Sequence, residues 1–377
     1  MSTSAELARA TAWRTKYAPK VANGLTFFSP LFAKIFHGRR SAPGSPLAVL
    51  KGSKPKGIEW NHGGDDYTWL ITKSMPTATV NRGEMGTRSF DQPSQLAKAV
   101  VSKYNTEQTA AISEGDYQAN KNDETKLDSL WKRRAILAQS AVWLAEVKGL
   151  WGAQTGAGLH GASTINFDGL SYIVDTGNVA AGSYAGIAMA TTNPYWTPTS
   201  HQYATVTLAA NALEILSAHA LKLTRSEEAD GAGMQSSPDF AVFNVTSWTH
   251  IITFCTLKHT WMGGAGGIQD LNMVQKGFVN IWINGIDCFP DNWWGGAVGT
   301  ASGYIESQAT DEYIMGHSDR VGLATCASPG QGEGQGLVQG TIITDPVVIR
   351  AKQAGVFQTG LHCIFFESPV WFGLGYV

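Results

Sequence analysis

Few residues in this chain stand in an arrangement that could do chemistry. Gly156-Ala-Gly-Leu-His-Gly161 matches the GxGxxG pattern of dinucleotide sites. That pattern holds a pyrophosphate only where it links a strand to a helix N-terminus. Here a long helical pattern precedes it and Ile165-Asn-Phe-Asp-Gly169 follows, so it reads as a turn. Asp65-Asp66 and Glu227-Glu228 are adjacent carboxylates. Adjacent residues rarely share a face, which weighs against general acid–base pairing. The histidines are scattered, and His250 and His259 are spaced wrongly for a shared metal on one helix. Cys255, Cys288, Cys326 and Cys363 form no CxxC pair, and their spacing suits neither a zinc module nor a dense disulfide framework. A reduced, intracellular origin is the simpler reading. GxxxxGK[ST], GxSxG and HExxH are absent. Asn244-Val-Thr246 matches a glycosylation sequon, but Met1 to Arg14 has no apolar signal core, so the match reads as chance. Trp282, Trp293 and Trp294 could form a sugar-binding platform; with few charges nearby, they read as packing or subunit contact. No catalytic residue, metal ligand or cofactor is expected.

The elements that would have to position these residues can be read from the pattern. Asn23 to Phe36 is apolar and is followed by the basic, Pro/Gly-rich His37 to Pro46. An apolar segment outside a core needs a cover, either its own domain or a neighbour. Tyr67-Thr-Trp-Leu-Ile-Thr72 is rich in strand formers. Lys73 to Pro76 would be a hairpin tip, with Thr77 to Asn81 as the return strand. Residues 121–151 predict a long amphipathic helix on Leu127, Leu130, Leu137, Ala141, Leu144 and Trp151, capped by Asn122 or Asp123. It would span roughly 45 Å. Lys132-Arg-Arg134 reads as a solvated face or, less simply, a contact with acidic partners. Residues 203–224 predict a helix on Ala209, Leu213, Leu216, Ala220 and Leu223. Phe240 to Val245 reads as a buried strand and Ser247 to Leu257 as a helix capped by Ser247. Phe278 to Ile283, the Asn284-Gly285 turn and Ile286 to Pro290 follow. Strand-like runs then occur at 304–308, 312–315, 320–325, 340–345 and 357–377, with a flexible Gly-rich loop at 330–336. The class is α+β.

Composition narrows the function. The chain has 377 residues, 43% of them hydrophobic and only 15% charged, with 42 glycines and 13 tryptophans. The usual charged share is about 25%. A compact chain of this size exposes roughly 14,500 Å², which so few charges cover thinly. That deficit is expected where much surface is buried against other chains. A net charge of −2 argues against wrapping nucleic acid on a basic face. No stretch approaches ~18 consecutive apolar residues, so no transmembrane helix is expected.

From Phe167 onward the order of features becomes specific. Phe167-Asp-Gly-Leu-Ser-Tyr-Ile-Val174 leads to Thr192-Asn-Pro-Tyr-Trp196, then to Tyr203–Thr224, Pro238-Asp-Phe-Ala-Val-Phe-Asn244 and Ser247-Trp248. This order resembles the major capsid proteins of tailed bacteriophages, which have the Hong Kong 97 capsid fold. Tyr195 stands where the family often has a first Trp, and the 330–336 glycine run is an insertion.

The resemblance implies an N-terminal arm at 1–48 and an extended β-hairpin loop (E-loop) at 49–92. It implies a P-domain at 93–202 with a spine helix at 121–151, an A-domain at 203–350, and a C-terminal strand at 351–377 returning to the P-domain. It implies a capsid protein that self-assembles, as hexamers and pentamers, into an icosahedral head around double-stranded DNA. Scaffolding protein, portal protein and a decoration protein would be partners, and packaged DNA would meet the inner face weakly and without sequence preference. The chain would sit in the virion, and in the host cytoplasm during assembly, with no membrane. Subunit-interface candidates are Trp69, Leu70, Ile71, Phe27, Phe28, Trp293 and Trp294. An isopeptide cross-link would start from Lys73, but no partner carboxylate is evident. Rival readings are an encapsulin-like nanocompartment shell and a carbohydrate-active phage-tail enzyme.

Overall fold

The computed structural model describes residues 29–37, 58–60, 64–72, 96–120, 122–151, 168–174, 182–189, 196–203, 207–226, 235–257, 280–291, 311–325, 338–343, 351–359 and 362–376. In chain order the elements are α1 (Pro30–His37), β1 (Ile58–Trp60), β2 (Asp66–Thr72), β3 (Leu96–Ser102), β4 (Glu107–Ser113), α2 (Glu114–Asn120), α3 (Glu124–Trp151) and α4 (Leu170–Val174). Next come β5 (Ser183–Tyr184), β6 (Ile187–Ala188), β7 (His201–Gln202), α5 (Leu208–Leu223), β8 (Arg225–Ser226), β9 (Gln235–Ser236), β10 (Phe240–Phe243) and α6 (Val245–Leu257). The last are β11 (Ile281–Ile283), β12 (Ile286–Pro290), β13 (Glu312–Gly316), β14 (Val321–Thr325), β15 (Val338–Ile343), β16 (Ala351–Thr359), β17 (His362–Phe366) and β18 (Phe372–Tyr376). The class is α+β, as the pattern predicts.

A six-stranded mixed sheet runs β11-β12-β10-β13-β18-β7. Its centre reads as an apolar run because both faces are covered. Along β10, Phe240 and Val242 face one core while Ala241 and Phe243 face the other, the two-residue period of a strand. The second face carries α5 and α6, through Ile215, Leu216, Ile251 and Phe254. The first carries α1 and α4, with Trp151, Trp196 and Phe372. On the α5 side, β18 must be flat: a Cβ on Gly373 would meet the Thr199 carbonyl at 2.0 Å, and one on Gly375 the Tyr313 ring at 2.2 Å. The predicted Asn284-Gly285 turn joins β11 to β12, both residues having positive φ (51° and 82°), as a two-residue type I′ hairpin requires.

Two further three-stranded sheets, β1-β14-β17 and β15-β16-β4, complete the frame. β2 pairs antiparallel with β3, from Asp66↔Ser102 to Thr72↔Leu96. The strand that returns against β2 is therefore 96–102. The expected return at 77–81 and the tip at Lys73 lie outside the described residues.

Three local expectations change. α3 forms where predicted, and Asp123 caps it, accepting from the Lys126 N–H at 3.1 Å. Its middle, however, packs on β4 and β16 through Ala135, Ala138 and Val142 against Ala110, while Leu137 points outward. Small side chains let the helix lie close on the sheet, and leucines would hold it off. On α5 the buried stripe is Leu208, Ala212, Ile215, Leu216, His219 and Leu223; it keeps Leu216 and Leu223 of the expected stripe and leaves Leu213 exposed. The difference arises because His219 is buried as a hydrogen-bonded polar residue, which an apolar pattern skips. α6 is capped by Asn244, whose Oδ1 accepts from the Ser247 N–H at 2.7 Å. Ser247 lies inside the helix, and its Oγ accepts from the Glu312 N–H at 2.8 Å.

Candidate subunit interface

A side chain held by its own subunit is not free to bind a neighbour, so the internal ties come first. α1 is amphipathic and lies on its own chain, burying Leu31, Phe32 and Ile35. Ser29 caps it, accepting from the Phe32 N–H at 3.3 Å, and donates to Asp291 at 2.8 Å. Lys34, buried at the same contact, donates to Asp287 and stands 3.9 Å from Asp239. Of the two covers the arm could have had, own domain or neighbour, residues 30–37 have the first. Phe27 and Phe28 lie outside the described residues.

A second tie joins α3 to β17. Glu146 is buried and accepts from Tyr104 Oη at 2.9 Å, Thr106 Oγ1 at 2.7 Å and His362 Nε2 at 3.0 Å. Tyr104 and His362 also exchange both backbone hydrogen bonds, and their rings pack tilted at 4.5 Å. Burial pushes the Glu146 carboxyl up, but His362 and the two hydroxyls outweigh it and hold it below the ordinary range. Burial, and then Glu146 itself, pushes the Tyr104 hydroxyl well up. Two histidines are kept neutral in the interior. His219 donates Nε2–H to the Thr199 carbonyl at 3.3 Å and accepts from Tyr313 Oη at 3.1 Å. Burial takes its imidazole down to about 3. His317 is likewise lowered by burial. None of these groups was singled out from sequence, because each pair is joined across a long separation that no local spacing reveals.

The hairpin of β2 and β3 separates two kinds of surface. Tyr67, Trp69, Ile71, Ala97, Ala99 and Val101 face inward. Trp69 packs on Phe365 at 5.3 Å and donates its indole N–H to the Glu367 carbonyl at 3.0 Å. The outer face carries Asp66, Thr68, Leu70, Leu96 and Lys98. Here Leu70 is 68% and Leu96 is 56% exposed. Of the interface candidates, Leu70 therefore points to solvent, Ile71 is buried and Trp69 is half-buried on its own chain. Trp293 and Trp294 lie outside the described residues. Leu96, which the sequence reading did not single out, belongs with Leu70; the alternation in Leu96-Ala-Lys-Ala-Val-Val-Ser102 is its signal. A second exposed apolar pair lies on α3, at Ile136 (47%) and Leu137 (60%), and Leu213 and Leu221 stand out on α5.

Chemistry is sparse. Among the described residues, no group of three or more His, Cys, Asp or Glu could hold a metal ion. No helix among them is long and apolar enough to cross a membrane. His250 pairs with Asp311, not with a second histidine. The GxGxxG segment, Glu227-Glu228 and His259 lie outside the described residues.

No protein-family model matches the sequence, and no curated protein matches it. Among solved structures, the chain is similar to one from the cyanophage A-1(L) capsid asymmetric unit. The TM-score is 0.51 at 11% identity, over 90% of this chain and 95% of that one. It is also similar to a chain of Mycobacterium phage Ogopogo (TM-score 0.47, 15% identity, 89% and 93% covered). A third similar chain is from an encapsulin complex of Synechococcus elongatus (TM-score 0.45, 9% identity, 89% and 90% covered). At such identities the likeness is one of fold. The fold of this chain is that of a phage capsid protein, as the resemblance in its sequence implies.

Proposed function

We propose that this chain is the repeating shell subunit of an icosahedral phage head that encloses double-stranded DNA. The observation that carries the reading is the likeness in fold to the cyanophage capsid chain along nearly the full length of both. The surface supports it: leucines stand exposed on a hairpin and on a long helix in a chain with only 15% charged residues. On this reading the chain is a structural protein and not an enzyme. Residues 1–48 are the arm, 49–92 the extended loop, 93–202 the P-domain with α3 as its spine, 203–350 the A-domain and 351–377 the returning strand. β2 is the base of the extended loop and pairs with β3 of the P-domain; the loop lies over a neighbour and engages it through Leu70. Hexamers and pentamers of one chain build the shell with scaffolding and portal proteins, with or without a decoration protein. The near-neutral chain meets packaged DNA weakly.

Electron microscopy of the full chain expressed with and without a candidate scaffold tests this reading. Closed shells, tubes or rings of one subunit are expected. A chain that stays monomeric at micromolar concentration with every scaffold refutes it, and shells that fill with a protein cargo and never with DNA select a nanocompartment instead.

A further inference from the structure

The contact between α1 and the six-stranded sheet holds more than an ion pair. Lys34, Asn280 and Asp287 are all buried, each 2% exposed. One carboxylate joins them: Lys34 Nζ donates to Asp287 Oδ2, and Asn280 Nδ2 donates to Asp287 Oδ1 at 3.4 Å. Strand register explains the meeting. Trp282 of β11 lies opposite Asp287 of β12, and Asn280, two residues before Trp282, shares that face. The face is the one α1 covers, with Leu31, Ile35, Phe240 and Phe289 in its core. The neighbouring acids are occupied elsewhere. Asp239, 3.9 Å from Lys34, accepts from the Ser318 N–H at 2.7 Å and its hydroxyl at 2.6 Å. Asp291 accepts from Ser29.

A buried ion pair needs no amide beside it. Yet Asn280 is there, and among the described residues its Oδ1 has no hydrogen-bond partner. Buried side-chain oxygens are ordinarily bonded, so an orphan of this kind calls for a reason. An amine and a carboxamide on the two oxygens of one buried carboxylate supply it: they are a nucleophile, an acyl group and the base and acid between them.

We propose that the folded chain forms an isopeptide bond with itself here, between Lys34 Nζ and Asn280 Cγ, with Asp287 moving the protons. Asp287 takes a proton from the Lys34 ammonium, an exchange that burial favours because it replaces two charges by two neutral groups. The amide turns so that Oδ1 accepts from the new carboxylic acid, which gives the orphan its partner and polarises the carbonyl. The amine attacks Cγ; the Nζ–Cγ bond forms and the Cγ–Nδ2 bond breaks. Asp287 relays the amine's second proton to the departing nitrogen, which leaves as ammonia. The products are the Lys34–Asn280 amide, one ammonia and a neutral Asp287. Nothing is oxidised or reduced, and no co-reactant is needed. The ion pair in the structure is the state before reaction. Lys34 and Asp287 are 253 residues apart in sequence, so the reaction follows folding, which supplies the proximity. The bond would tie α1 to the start of β11 within one chain. It uses a different lysine from Lys73 and does not depend on the shell reading.

Intact-mass spectrometry of the purified full-length chain, freshly folded and after prolonged incubation at neutral pH, tests it. A deficit of about 17 Da, one ammonia, should accumulate with time. A tryptic digest should then yield a branched peptide joining Lys34 to Asn280, uncut after Lys34. Lys34→Arg keeps the cation and Asn280→Ala keeps the ion pair; neither should show the deficit. Asp287→Asn should slow the loss by about 100-fold or more, the usual share of a general acid–base group. An Asp287→Asn chain that folds and loses ammonia at the parent's rate overturns the mechanism, and the other two variants decide the bond even where this one does not fold. A parent mass that stays at the sequence value overturns the proposal and leaves a plain ion pair. So does a deficit that persists in Lys34→Arg and maps to Asn284-Gly285, which is a succinimide, or a loss of about 18 Da, one water, that joins Lys34 to Asp287. The unassembled chain suffices for every arm, so none of these results bears on the shell reading.

Discussion

Replacing Glu146 by Ala should cost the subunit about 3–5 kcal/mol, the usual penalty for removing one partner of a buried pair. The carboxylate accepts from three side chains on two other parts of the fold: Tyr104, Thr106 and His362. Its loss takes that acceptor from a buried histidine and two hydroxyls, and a hydrogen bond to a charged group is worth about 1.5–3 kcal/mol. The lower total reflects some rearrangement and water entry. Urea unfolding of the unassembled chain at pH 7 is the assay, with midpoint and slope both recorded. Acid gives a second readout. The Glu146 carboxyl is held below its ordinary value in the fold, so its stabilisation is present above that ordinary value and is lost as pH falls through the folded one. Stability of the parent should therefore decline below about pH 4.5 more steeply than that of the Ala variant, and the gap between them should narrow. A variant within about 1 kcal/mol of the parent at pH 7, or a gap unchanged down to pH 3, would refute the idea that this carboxylate clasps α3 to β17.

Four other outcomes follow from the same geometry. Lys34→Met removes the buried ammonium that neutralises Asp287 and should lower stability by about 3–5 kcal/mol in the same assay, with α1 becoming accessible to limited proteolysis. Trp69→Ser removes a ring packed on Phe365 and an indole hydrogen bond; it should lower the melting midpoint, whereas Leu70→Ser should leave that midpoint unchanged and weaken assembly. Gly373→Ala drives a methyl group into the Thr199 carbonyl and should cost about 1–3 kcal/mol by overpacking. His219 is depressed to about 3 in the fold, so its contribution is full above pH 6.5 and lost as pH falls; His219→Phe should flatten the stability profile between pH 6.5 and 3, measured by urea midpoints.

Local periodicity made most of the elements legible. β2, α3, β10, α6 and the Asn284-Gly285 turn lie where alternation, helical spacing and turn chemistry put them, because each is decided by neighbours within a few residues. Which face an element buries was less legible. On α3 the leucine stripe predicts one face, yet the contact is made by Ala135, Ala138 and Val142, since proximity of the sheet favours small residues over large ones. On α5 the hidden signal is His219, which is polar by type and buried by partnership. The ties at Lys34–Asp287 and Glu146–His362 were not legible at all: their partners are separated by 253 and 216 residues, and only the fold brings them together.

The same pairs bear on how a charge-poor subunit can both fold and assemble. Lys34, Glu146, Asp287 and His362 are spent inside the chain, so several of its few ionisable groups specify the fold and not the outer surface. An unpaired charge in the core would be costly, so packings of α1 and α3 that part these groups are penalised. The outer surface is then free to be apolar where a neighbour covers it. β2 makes the division within a single strand: Trp69 and Ile71 pack on their own chain, while Leu70, between them, faces solvent. Because a strand's side chains alternate, the two tasks can change independently. On the proposed shell reading, a substitution at 70 should alter assembly without loosening the fold, and one at 69 or 71 should do the reverse. A shell that sets one chain in several environments needs this separation, since the contacts that adapt must not be the contacts that hold each copy in shape.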